Sequence, residues 1–208
     1  EYIYERTSGP GEFLELDMDL LRANTAQVRI GGFECATGRT VYWGSEDLST
    51  LHDLSVRVRA SSTMPILMPW TTIDGTVYCD GALGSTGGFA HDAARADGFT
   101  KYIVITTRER GYVKPPMRNA ALMKAALRQY PEVATALALR PKRYNESLEE
   151  LTELEKKGDA FLIFPERMRI KNGERNLAAL GGTYSQGLAE GRRLIPQLRE
   201  WLGFSHDT

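Results

Sequence analysis

The stretch WTTIDGTVYCDGALGSTGG, residues 70–88, carries two Asp-Gly pairs and constrains the chain more than any other part of it. The first pair, Asp74-Gly75, lies between two runs rich in Thr, Ile, Val and Tyr, and an Asp-Gly so flanked marks a two-residue hairpin turn. The second, Asp80-Gly81, follows the run Thr76 to Cys79 but has no comparable run after it, only glycines with Ser85 and Thr86. In open α/β sheets the reactive groups sit on loops beyond the carboxyl ends of strands. Asp74 is therefore read as a turn residue, and Asp80 as the candidate for chemistry.

The remaining pattern alternates between strand and helix. Residues 25–44 read as a hairpin, with alternation around Val28 and Ile30, a turn at Thr37-Gly38 and a β-favouring run from Thr40 to Trp43. Leu48, Leu51, Leu54 and Val58 have helical spacing, which predicts a helix over 46–58. HDAARADG predicts another, ending at Gly98. KYIVITT and AFLIFP read as buried strands. Helical segments begin at Met117, Pro131 and after Pro141, separated by prolines that suit a first turn and not a helix interior. The last helix runs from Tyr184 with a kink expected at Pro196, and the first twenty residues read as loop or linker. The whole predicts an α/β domain in layers, a mainly parallel sheet with flanking helices.

Length and charge narrow the field. A chain of 208 residues suits one domain with one sizeable core, so 1–208 is treated as a single domain. A net charge of -1 gives no pull toward nucleic acid or anionic lipid. No segment reaches the ~18 consecutive apolar residues of a membrane span, and no signal-peptide pattern is present. A cytoplasmic location is expected, with peripheral association at membranes left open. Cys35 and Cys79 lack metal-ligand spacing and read as buried thiols.

The block from Arg59 to Arg108, RASSTMPILMPWTTIDGTVYCDGALGSTGGFAHDAARADGFTKYIVITTR, resembles the second catalytic block of the patatin-like phospholipase family. That family's pattern is an Ala-Ser-x-x-x-Pro stretch, an apolar loop, a hairpin, Asp-Gly-Gly or Asp-Gly-Ala, then a helix and a strand. The resemblance reaches back through FECATGRTVYWGSEDLSTLHDLSVRVRASS and forward to AFLIFPERM, covering about residues 15–200. It implies a patatin-like core part over 15–110 that carries the Asp-Gly motif, and a helical extension with the final strand and helix over 111–208.

The resemblance further implies hydrolysis of lipid acyl esters by a serine and an aspartate, without histidine and without a cofactor. A serine hydroxyl needs a base within hydrogen-bond reach, and a rigidly held carboxylate can serve. Asp80 would be that base, and Gly81 would let the chain turn without crowding the serine. The family's Gly-x-Ser-x-Gly elbow has no counterpart here, since Ser85 follows Leu83 by two residues and Ser185 follows Thr183. Nor is there a glycine-rich oxyanion loop. The expectation is thus an incomplete domain, inactive alone, whose nucleophile lies on a missing amino-terminal half with which it associates. The chain departs from its relatives after Asp-Gly: Ala82 and then Ser85-Thr86-Gly87-Gly88 stand where many have Gly, a polar residue and Pro.

Other readings compete. A triad of Ser61 or Ser62 with His91 and Asp80 is conceivable, because triads are defined by geometry and not by order. Backbone hydrogen bonding by those serines is the plainer role. His52, His91 and His206 are scattered and offer no metal site. Met64, Ile66, Leu67, Met68 and Trp70 are core by default, or the lining of an acyl pocket. The charged stretch RPKRYNESLEELTELEKKG reads as a solvated helix face. The different-class alternative to the hydrolase is a non-catalytic binding or regulatory module on the same fold.

Overall fold

The computed structural model describes residues 5–171 and 173–204, so His206 lies outside the described residues. Its elements in chain order are α1 (Met18–Ala23), β1 (Ile30–Glu34), β2 (Thr40–Trp43), α2 (Leu51–Ser61), β3 (Thr71–Ile73), β4 (Thr76–Asp80), α3 (His91–Ala96), β5 (Tyr102–Ile105), α4 (Ala120–Ala126), α5 (Pro131–Lys157), β6 (Ala160–Ile163) and α6 (Leu177–Trp201). Two compact units emerge. One takes the chain up to Gly98 together with Lys114–Ser147, and the other takes Phe99–Val113 with the chain from Leu148 onward.

The first unit is built on a four-stranded sheet in the order β2-β1-β4-β3, antiparallel at every pairing. Its two hairpins come from the turns read in the sequence. Gly38 takes φ +75 between β1 and β2, and Asp74 and Gly75 take φ 48 and 78 between β3 and β4, the left-handed pair of a type I′ turn. Side chains alternate across the sheet. Phe33, Cys35, Val77 and Cys79 pack with Leu127, Val133 and Ala134 from the α4–α5 region. Ile30, Val41, Trp43, Ile73 and Tyr78 take the other face, against Val56 and Ala60 of α2. Each large side chain buried in this way contributes roughly 1.5–3 kcal/mol. Both thiols are fully buried and free, as the sequence suggests.

Several boundaries differ from the sequence reading, each for a physical reason. α2 starts at Leu51, not 46, because Thr50 and Asp53 form a capping box: the Asp53 N–H donates to Thr50 Oγ1 at 3.1 Å and the Thr50 N–H donates to Asp53 Oδ2 at 2.9 Å. α5 runs unbroken through Pro141, where the sequence predicts a break. Buried Val133, Ala134 and Ala136 before the proline and Ser147 and Leu151 after it hold the helix against the ~3 kcal/mol an interior proline costs. α1 forms inside the stretch read partly as linker, with Asp17 as its cap. The loop Met64 to Leu67, read as core, is exposed, with Ile66 at φ +72.

The second unit holds the parallel pairing, β5 with β6 in the register Tyr102↔Ala160 to Ile105↔Ile163. The parallel pairing expected to dominate is thus found only here. Two- and five-residue connections can join only antiparallel neighbours, whereas β5 and β6 are linked through helix. β5 is not the buried central strand predicted: Ile103 and Ile105 are 46% and 75% exposed. Arg110 grips Glu155 in a two-point contact of 2.7 and 2.8 Å and lies over the Phe164 ring. That guanidinium holds the Glu155 carboxyl below the usual range. α6 begins at Leu177, earlier than expected, because Asn176 accepts from the Ala179 N–H at 3.1 Å and caps it. It also continues through Pro196. The architecture is therefore mixed α/β, with a small antiparallel sheet and a two-stranded parallel one.

Candidate active site

Asp80 is the last residue of β4, an interior strand of the four-stranded sheet. On one side it pairs with Gly32 of β1. On the other, β3 has already ended, and the Asp80 N–H donates instead to the Thr63 carbonyl at 2.9 Å. Thr63 is itself fully buried, its hydroxyl 2.7 Å from the Arg59 carbonyl and 2.8 Å from the Thr71 hydroxyl. The backbone under the aspartate is thus pinned from both sides. The chain then turns into a 3-10 segment, Gly81–Leu83, which Asp80 caps by accepting the Ala82 N–H on Oδ1 at 2.8 Å.

Gly81 is required by close packing. A Cβ there would meet the Gly31 carbonyl oxygen at 2.4 Å and its carbon at 2.6 Å, both backbone atoms that cannot yield. Its role is therefore to let the strand exit lie flat on β1. The resulting cleft, of about 180 Å³, is lined by Asp80, Ser61, Tyr42 and Thr86 with Gly31, Gly81 and Gly88 among its walls. Its glycines leave main chain open to a ligand, and its polar groups are few.

The loop beyond it, where the chain departs from the resembled family, is held by side chains. Asp92, in the first turn of α3, accepts from the Tyr42 hydroxyl at 2.6 Å, from Ser85 Oγ at 2.8 Å and from the Ala93 N–H at 2.9 Å. Burial, and then the bond to Asp92, push the Tyr42 hydroxyl well above the usual phenol range, so it stays a donor. The Thr86 hydroxyl donates to the Phe89 carbonyl. Arg143 of α5 donates to the Leu83 and Gly84 carbonyls at 3.0 and 3.3 Å. Gly87, at φ +67, sits where a Cβ would be 2.4 Å from the Tyr144 nitrogen. These ties hold the loop in place.

The other candidates separate. Ser61 shares the cleft with Asp80, and His91, buried at the start of α3, is not among the residues that line it. Ser62 Oγ donates back to the Val58 carbonyl at 2.5 Å, the backbone role expected of it. His52 Nδ1 lies 2.7 Å from Glu5 and borders a different cavity, of about 280 Å³, with Ser55 and Arg59. Among the described residues no group of His, Cys, Asp and Glu could hold a metal ion. Sequence reading passed over Tyr42 and Asp92, which lie 50 residues apart and meet only in three dimensions.

Comparison with known proteins adds one finding. The profile of a Domain of unknown function (DUF6363) matches residues 130–203, less than half of the chain, and takes in α5, β6 and α6. None of the residues lining the cleft lies within that match. No curated protein and no solved structure matches the chain. Among the described residues no helix is long and apolar enough to cross a membrane.

Proposed function

We propose that this chain is the aspartate-bearing part of a serine–aspartate hydrolase of the patatin-like type, cleaving lipid acyl esters. The observation that carries the reading is the setting of Asp80: an aspartate at the carboxyl end of an interior strand, its backbone pinned on both sides, in a cleft walled by glycine. Oδ1 is fixed by Ala82, and Oδ2 has no hydrogen bond among the described residues. A carboxylate so held can take the proton of a serine hydroxyl as the oxygen attacks the ester carbonyl carbon. It returns that proton to the departing alcohol, and then serves a water that frees the acid and the serine.

The nucleophile belongs, on this reading, to a Gly-x-Ser-x-Gly elbow on a segment outside the chain. The same segment would extend the two small sheets into the layered, mainly parallel core that the resemblance implies. Residues 1–208 alone are then expected to show no esterase turnover. In the full-length protein a serine-directed phosphonate should label the elbow serine, and Asp80→Asn should abolish labelling. Undiminished labelling of the variant would count against Asp80 as the base.

A second reading, a binding or regulatory module that has lost the chemistry, draws on one observation. Ser85 bonds to Asp92 and not to Asp80, and Asp92 is already tied to Tyr42 and Ala93. A full-length protein without a Gly-x-Ser-x-Gly would favour that module.

A further inference from the structure

The cavity of about 280 Å³ on α2 shares no lining residue with the Asp80 cleft. Glu5, His52, Ser55, Val56 and Arg59 line it. The four from α2 are spaced i, i+3, i+4 and i+7, so a single face of that helix forms the wall. Val56 also packs against the cluster of Trp43, Ala60 and Ile73, and it gives the cavity an apolar patch among polar groups. His52 Nδ1 lies 2.7 Å from Glu5 Oε1, so that carboxylate is already engaged.

Two of the lining groups lack protein partners. Ser55 is 5% exposed, and its hydroxyl makes no hydrogen bond among the described residues. Elsewhere in the chain a helical hydroxyl bonds back to its own helix: Thr135, Thr152 and Thr183 each donate to the carbonyl four residues earlier, at 3.1, 2.7 and 2.9 Å. A buried polar group left without a partner is costly, and native chains keep few of them. Arg59 is half-buried, and its guanidinium has neither an ion pair nor a hydrogen bond among the described residues. Arg29, Arg39, Arg57 and Arg110, by contrast, each face a carboxylate. The fold uses only the backbone of Arg59, whose carbonyl accepts from the Thr63 hydroxyl at 2.7 Å.

We infer that this cavity binds a small carboxylate, the anion of a short-chain acid. Arg59 stands one helical turn beyond Ser55, with Cβ atoms ~5–6 Å apart, so one carboxylate reaches both. The Ser55 hydroxyl donates to one of its oxygens, and the planar guanidinium matches a carboxylate on two parallel N–H···O bonds. Charge selects the same ligand. A single negative charge balances Arg59, whereas a phosphate dianion would bring an excess up against the Glu5 carboxylate. Val56 meets the hydrocarbon part. Ligand pockets begin at ~300 Å³, so this cavity takes a few carbons and no long acyl chain. The inference does not depend on the hydrolase reading.

Titration of the isotope-labelled 208-residue chain with butyrate, followed by NMR, tests it. Saturable shifts of the amides around Ser55 and Arg59 are expected, with a Kd on the order of 1 mM, and none at Asp80 and Gly81. Arg59→Gln should weaken binding at least ~10-fold and Ser55→Ala about 5-fold. Neither substitution removes a side-chain bond made within the described chain, and circular dichroism checks that both variants keep their helix content. Butyramide, with the same carbons and no charge, should not bind at the same concentration, and inorganic phosphate should bind more weakly than butyrate. The absence of saturable shifts over residues 52–59 overturns the proposal, as does binding that Arg59→Gln leaves unchanged. Shifts at Asp80 and Gly81 instead would put the acid in the other cleft and contradict it. Equal binding of butyramide, or tighter binding of phosphate, overturns the choice of a carboxylate.

Discussion

The two units differ in what their helices cover. In the first, the sheet has helix on both faces, with Phe33, Cys35, Cys79 and Leu83 packed on one side and Trp43, Ile73 and Ala60 on the other. In the second, β5 exposes Ile103 and Ile105, and α6 exposes Leu177 and Tyr184 among others. The first unit has its sheet covered on both faces and shapes the cleft, and its exposed apolar side chains lie off the sheet, in Phe13 and Leu14 and in the Met64–Leu67 loop among others. The second leaves apolar side chains of its strand and of its long helix uncovered. The cleft and the DUF6363 match do not overlap: the cleft residues all precede residue 130, and the match begins there and takes in parts of both units.

If that contrast is right, small changes at the cleft should damage the fold while large ones on the second unit's surface should not. Gly81→Ala should have the larger effect. Its Cβ would press on the Gly31 carbonyl oxygen at 2.4 Å and its carbon at 2.6 Å, backbone atoms of β1 that cannot swing aside. A loss of ~3 kcal/mol or more is expected in urea unfolding followed by tryptophan fluorescence. A midpoint like that of the unaltered chain would mean β1 and the strand exit are not packed so closely. Ile105→Lys should have the smaller effect, within about 0.5 kcal/mol, with improved solubility. A substantial destabilisation there would show that β5 is covered after all.

What the sequence made legible was local. Asp74-Gly75 and Thr37-Gly38 announce their turns because a positive φ favours glycine, and a two-residue link leaves only an antiparallel pair. The strand end at Asp80 is legible because a β-favouring run stops there with nothing comparable to follow. The reach of α5 through Pro141 was not legible, since a proline's local penalty says nothing of the buried residues on either side that outweigh it. Nor was the Tyr42–Asp92–Ser85 tie, which joins a strand, a helix and a loop far apart in the chain. The apolar runs KYIVITT and MPILM were misread as buried. Hydrophobicity records that a surface is to be covered, and not whether this chain or another segment covers it.

Asp80 is proposed as a base and not merely as a cap. Asparagine keeps the carbonyl oxygen that receives the Ala82 N–H, so Asp80→Asn should leave the unfolding midpoint nearly unchanged. The deciding measurement is acyl-ester turnover by the full-length protein carrying that substitution. A fall of ~10²–10⁴-fold with the fold intact is expected. Turnover equal to that of the unaltered protein would contradict it.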